Sequence, residues 1–135
     1  MFAYSNINYA NPKSIDEAEG ANYIPLAPIL TSSGGMSYQA KRISASIKYR
    51  YIKDRAANET NSVVAQGYFV SDMNVNYNRP FWSFGISVEN LFNTQWREAQ
   101  FDTESKLTGE TDAVSEIHFT PGVPFTLRSA LTFKF

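Results

Sequence analysis

Alternation with a period of two residues dominates the chain and is cleanest near its C-terminal end. Phe125, Leu127, Leu131, Phe133 and Phe135 fall on one face, with Ser129 the one polar member, while Thr126, Arg128, Ala130, Thr132 and Lys134 fall on the other. Successive strand side chains point to opposite sides, so this segment is apolar on one face and wet on the other. From Arg42 to Tyr51, Ile43, Ala45, Ile47, Tyr49 and Tyr51 alternate with Arg42, Ser44, Ser46, Lys48 and Arg50. Between Gly67 and Arg79, Phe69, Met73, Val75 and Tyr77 share a face with Ser71, and Asp72, Asn74, Asn76 and Asn78 line the other. From Ser83, Phe84, Ile86 and Val88 alternate with Gly85, Ser87 and Glu89. A weaker strand is predicted over about 29–39, with Leu30, Met36 and Tyr38 on its apolar side, and a partial one near Tyr4–Ala10. No helical template longer than two turns is present.

The joints alternate in length. Short ones fall near Ala40-Lys41 and Asn78–Trp82, and long polar loops are expected near Asn11–Ala27, Ala56–Gln66 and Ala99–Pro124. That describes an up-and-down antiparallel meander of about six strands whose two ends meet different environments, the asymmetry of outer-membrane barrels. Aromatic rings gather accordingly. Tyr38, Tyr77, Phe81, Trp82, Phe133 and Phe135 belong to the short-turn end, and Tyr51, Phe69, Trp96 and Phe125 to the long-loop end. Rings at both ends of an apolar band match the girdles of membrane barrels.

The polar face decides between architectures. It carries Arg42, Lys48, Arg50, Asp72, Glu89, Arg128 and Lys134, so it cannot fill a small soluble barrel, whose interior is packed with side chains. If the apolar face were a core it would need a second layer, and two three-stranded sheets facing each other as a sandwich are the rival arrangement. In a membrane barrel the apolar face meets lipid and the polar face meets water or an internal plug. Six strands do not close such a wall, and open edges in lipid leave backbone groups unpaired, so further strands are expected upstream of Met1.

Composition adds exclusions. Ten Phe, eight Tyr and two Trp stand in 135 residues of net charge −1, which gives no nucleic-acid surface and no polybasic anchor. Cysteine is absent, removing disulfides, thiolate metal sites and thiol nucleophiles. No run approaches the roughly 18–20 apolar residues of a membrane-spanning helix, while a barrel strand needs only about 9–11. Met1–Ser5 has neither the basic nor the apolar part of an export signal, so an outer-membrane protein beginning here is expected to lack its front end.

Several motifs resemble those of TonB-dependent outer-membrane receptors. Val88-Glu89-Asn90-Leu91-Phe92-Asn93-Thr94-Gln95-Trp96 is similar to the run that ends their penultimate strand. Phe119-Thr120-Pro121-Gly122-Val123-Pro124-Phe125, continuing to Phe135, resembles their last strand, whose terminal Phe with alternate aromatics is read by the outer-membrane assembly machinery. Gln66–Asp72 is like the start of the strand two before the end, and Ile24-Pro25-Leu26-Ala27-Pro28 like the lead-in to an earlier one. The segments Glu98–Ser105 and Glu116–Phe119 resemble receptors of the Bacteroidota type. The resemblance implies that residues 1–135 are the C-terminal part of a large transmembrane β-barrel, with plug domain and earlier strands absent. It marks Glu89, Asn90, Leu91, Phe92 and Asn93 as the family motif and Phe133 and Phe135 as the assembly signal. The implied function is active uptake of a scarce nutrient (a siderophore, cobalamin or a glycan) across the outer membrane of a Gram-negative bacterium. Its partners are outer-membrane lipid, TonB and the plug domain through the rest of the receptor, and the assembly machinery. A soluble β-sandwich binding through its long loops is the competing function.

No catalytic, cofactor or metal site is expected, and no enzyme. Asp102, Glu104, Glu110, Asp112 and Glu116 crowd the last long loop beside His118, the single histidine, without an EF-hand spacing, and read as a solvated acidic loop. His118 is expected to pack on Phe119 or to accept a loop hydrogen bond. Asp16, Glu17 and Glu19 read the same way as the acidic loop. Gly34-Gly35 reads as a strand bend or thin wall position rather than a phosphate loop. Asn90 falls on the apolar face by count, where it is expected to hydrogen-bond near the interface and help bend the strand end, unless a bulge redirects it. Arg42, Lys48, Arg50, Asp72, Glu89 and Arg128 are expected to pair across strands, with contact to a plug or substrate as the alternative.

Overall fold

The computed structural model describes residues 1–109 and 111–135. Six long strands, β1 (Phe2–Tyr9), β2 (Leu30–Gln39), β3 (Ile43–Ile52), β6 (Tyr68–Asn78), β7 (Trp82–Glu89) and β10 (Thr126–Phe133), form one antiparallel sheet in the order β1-β2-β3-β6-β7-β10. Two small sheets pair β4 (Arg55–Ala56) with β5 (Val64–Ala65), and β8 (Arg97–Ser105) with β9 (Val114–Pro121). The connections β2–β3 and β6–β7 are tight, closed by Ala40 N donating to Ile43 O and Arg79 N to Trp82 O. The other three connections are long and all leave the opposite end of the sheet. Among the described residues there is no helix.

Register carries the two-residue pattern across every strand, because directly opposed side chains lie on the same face of a sheet. Met36 faces Ile47, Ile47 faces Met73, Met73 faces Val88 and Val88 faces Leu127. The polar rows follow the same rule, with Ser37 against Ser46, Ser46 against Asn74 and Asn74 against Ser87. A slip of one residue at any pair would put a polar row into the apolar band, so the pattern fixes the pairing.

The apolar face has nothing over it. Leu127 is 59% exposed, Leu131 56%, Tyr38 50% and Met36 47%. A compact monomer of 15.2 kDa exposes about 7,100 Å² by the usual mass scaling. This chain exposes 9528 Å². The buried apolar side chains among the described residues are Ala56, Ala57, Ala65, Val70 and Val88, and of these only Val88 belongs to the apolar band. The sandwich is therefore not realised: the six strands are continuous, and no second layer covers their apolar side.

One stretch departs from expectation. Residues 99–124 are not a solvated loop; most of them form the β8–β9 hairpin. Alternation there is masked because both faces carry charges, as with Asp102 and Glu104 on one side and Glu116 on the other.

Candidate functional site

Two features concentrate at the long-loop end: a charged patch on the polar face and the cluster built by the Glu89–Trp96 motif. On the polar face Arg50 Nη2 lies 4.0 Å from Asp72 Oδ2, and Arg128 Nη1 donates to Glu89 Oε1. Cross-strand pairing thus accounts for four of the charges singled out by pattern. The remaining three, Arg42, Lys48 and Lys134, form no ion pair among the described residues, although Lys48 stands opposite Asp72 in register. These side chains are half-exposed, so the pairs contribute at most about 1 kcal/mol each to stability. Their larger effect is to orient charge along a wetted wall. Arg50, Asp72, Glu89, Asn90, Trp96 and Glu98 line an open depression of about 230 Å³ there.

The motif cluster is a hydrogen-bonded clasp. Asn90 has φ 51°, a left-handed conformation that Asn tolerates better than most residues, and its side chain is 1% exposed. Its Nδ2 donates to Thr94 O at 2.8 Å and to Val123 O at 3.0 Å, and its Oδ1 accepts from Thr94 N at 2.9 Å. Its backbone N–H donates to Asp72 Oδ1 at 3.0 Å, and Leu91 N donates to Ser71 O at 2.7 Å. Asn93, also left-handed at φ 51°, accepts from Phe125 N at 3.2 Å. Asn90 hydrogen-bonds and bends the strand end as its place in the sequence suggests, but not on the apolar face: the positive φ ends β7 and turns the amide inward.

Trp96 completes the clasp and is likewise misplaced by sequence pattern. Its ring packs at 4.9 Å from Tyr68 and under the Arg50 guanidinium at 5.4 Å, both residues of the polar face, so it is not part of the outer aromatic girdle. Its Nε1 donates to Val123 O at 3.0 Å, while Gly122 N donates to Trp96 O at 2.8 Å. A Cβ on Gly122 would lie 2.1 Å from the indole, so glycine is what lets the ring sit there. The girdle place is taken by Phe92, 62% exposed and 6.2 Å from Phe69, which in turn stacks on Tyr49 at 5.8 Å.

Gly34 proves to be a thin wall position, as the pattern anticipates. Tyr49 lies across it, with Cε1 2.6 Å from where a Cβ would stand, and its hydroxyl meets Ser5 Oγ at 2.8 Å and Ser32 Oγ at 3.1 Å. The three hydroxyls on the apolar face thereby satisfy one another.

The hairpin is tied down by a residue that pattern reading overlooks. Gln100, 2% exposed, uses its amide as a strand would use its backbone: Gln66 N donates to Oε1 at 2.8 Å and Nε2 donates to Gln66 O at 2.7 Å. No local signal reveals this pairing, because the partners are 34 residues apart. We expect Gln100→Ala to weaken the docking of the hairpin by about 2 kcal/mol, through loss of both hydrogen bonds to the Gln66 backbone. Limited proteolysis read by mass spectrometry should then show cleavage within residues 97–121 accelerated severalfold. Unchanged cleavage would mean the Gln66 pairing contributes nothing.

The acidic residues do not converge. Asp102 accepts from Ser115 Oγ across the hairpin, while Glu116 stands opposite Thr103 on the other face. Among the described residues no three His, Asp or Glu side chains are placed to hold a metal ion; Glu110 lies outside them. Asp16, Glu17 and Glu19 remain solvent-exposed. His118 stands opposite Phe101, whereas Phe119 points to the other face under the Arg97 guanidinium at 4.0 Å, so the two do not pack together. At the other end of the sheet Phe133 faces Trp82, and Phe135 lies beyond the strand, fully exposed.

No family model matches the chain, and no curated protein matches it at a significant level. Among solved structures, the ferric-catecholate import receptor Fiu from E. coli K12, in its closed form, matches 96% of this chain with a TM-score of 0.64 at 21% identity. The chain spans only 18% of that receptor. The all-β antiparallel meander of six strands is thus the fold of a stretch of a receptor barrel.

Proposed function

We propose that this chain is the closing wall of an outer-membrane nutrient receptor, residues 1–135 forming the C-terminal part of its barrel. The observation that carries the reading is the single uncovered sheet: one face apolar and exposed, the other charged, short turns at one end and long loops at the other. Water is a poor solvent for the first face and a good one for the second, and a barrel wall in lipid satisfies both. The free edges of β1 and β10 would pair with strands supplied by the rest of the receptor.

On this reading the whole protein admits a small nutrient using energy delivered through TonB, and a plug domain meets the polar face carrying Lys48, Arg50, Asp72 and Arg128. No bond of the cargo is made or broken. The likeness to a ferric-catecholate receptor supports a nutrient receptor without choosing among siderophore, cobalamin and glycan. The Bacteroidota assignment rests on the sequence of the hairpin. Glu89–Asn93 act as the clasp that seats the last strand, and Phe133 and Phe135 as the signal for the assembly machinery.

The first test is the intact mass of the native protein in isolated outer membranes, found through the tryptic peptide Ile43–Lys48. A product several-fold larger than this chain is expected. A product of this size alone, recovered in the soluble fraction, would sink the receptor reading.

A further inference from the structure

We propose that the short-turn rim binds the phosphodiester headgroup of an anionic phospholipid, through Arg79 and Lys41, with Arg42 adding positive charge from the polar side of the same rim. The inference rests on the barrel reading above and adds a lipid-binding site to it. The turns Ala40–Arg42 and Arg79–Phe81 are held side by side, Asn78 N donating to Arg42 O at 2.7 Å and Lys134 N to Phe81 O at 2.9 Å. They bring Lys41, Arg42, Arg79 and Lys134 to one rim. No carboxylate side chain occurs between Glu19 and Asp54, between Asp72 and Glu89, or after Glu116, so this end holds none to neutralise them. At the other end the acidic residues cluster, from Asp16–Glu19 to Glu98–Glu116.

Lys41, Arg42 and Arg79 make no ion pair and no side-chain hydrogen bond among the described residues, and together with Asn78 and Pro80 they line a shallow cleft of about 320 Å³. Arg79 is not simply dangling in solvent. Its guanidinium lies 5.2 Å over the ring of Tyr77, which packs at 5.6 Å against Trp82. Tyr77 and Trp82 belong to the apolar face, so the guanidinium is held at the boundary where that face ends. Phe81, two residues on in the same turn, is exposed at 75%. A planar cation with five donors, set at the edge of an apolar band beside amphipathic rings, matches a phosphodiester above acyl chains. The sign of the rim selects an anionic headgroup over a zwitterionic one.

The test uses the whole protein purified from outer membranes in neutral detergent, with bound lipid counted by native mass spectrometry. Phosphatidylglycerol should be retained about tenfold over phosphatidylcholine. The variant Lys41→Gln/Arg79→Gln should bring that ratio close to one, while Lys13→Gln/Lys106→Gln at the opposite end leaves it unchanged. Equal retention of the two lipids by the unaltered protein overturns the proposal without reference to any variant. So does displacement of phosphatidylglycerol by millimolar inorganic phosphate, which would reveal a free phosphate site. Heat-modifiable migration on gels checks that each variant is a folded barrel; its absence in the unaltered protein would count against the barrel reading itself.

Discussion

Replacing Asn90 by Ala is expected to cost about 3–5 kcal/mol of stability, the largest loss from any single side chain of the motif. The change removes three side-chain hydrogen bonds, leaving the half-buried Thr94 N and O without these partners and Val123 O with only the bond from Trp96 Nε1. It also leaves a residue with a Cβ at φ 51°, where Ala is strained and Asn is tolerated. The two contributions separate experimentally. Asn90→Gly relieves the backbone and should recover about 1 kcal/mol relative to Asn90→Ala. Asn90→Asp keeps the acceptor for Thr94 N, loses both donors, and sets a carboxylate toward two carbonyls. Urea unfolding of the detergent-folded protein reads all three. An Ala variant within about 0.5 kcal/mol of the parent would show that the clasp does not hold the strand.

The clasp has this weight because of what it connects. Strand β10 must return to β7 across residues 90–125, and closing so long a connection costs chain entropy. Pairing within the β8–β9 hairpin takes up most of that length, and the Asn90–Val123 bond brings its two ends together. Leu91 and Asp72 then fasten the same corner to β6. The residues that resemble a family motif are thus a structural joint. The side chains of Asn90 and Asn93 face the protein's own backbone, whereas Phe92 is exposed beside Phe69 and Glu89 pairs with Arg128.

The six long strands were legible because each has one face in contact with a single kind of surroundings, so burial and polarity alternate together. The hairpin was not, since its two faces meet similar solvent and its sequence has no reason to alternate. Asn90 and Trp96 were misplaced for a related cause. Counting by twos assumes an extended backbone, and the positive φ at Asn90 and Asn93 breaks the count before Trp96 is reached. Charge pairing of Arg50 with Asp72 and of Arg128 with Glu89 was anticipated as cross-strand contacts, and follows from the register once that is known. The Gln66–Gln100 pairing depends on how two loops meet, which no local pattern encodes.

The identity of the solvent on the apolar face can be tested with two neighbouring positions. Ile47 lies between Met36 and Met73 on the apolar face, and Ser46 lies between Ser37 and Asn74 on the polar one. Ile47 is already 38% exposed in the sheet, so if water bathes that face, Ile47→Arg is close to neutral. If lipid bathes it, an arginine near the middle of the band costs about 2–4 kcal/mol. Ser46→Arg adds the same charge one residue away, where it meets the wetted wall, and should stay within about 0.5 kcal/mol of the parent. We expect the first substitution to lower the unfolding midpoint in lipid vesicles sharply and the second to leave it nearly unchanged. Both substitutions add one positive charge and end in arginine, so the difference between the two cancels net charge, and the unequal strand propensities of Ile and Ser contribute at most about 1 kcal/mol. The larger part is the cost of placing a cation in each solvent. Equal costs at the two positions would remove lipid from the apolar face, and with it the barrel reading.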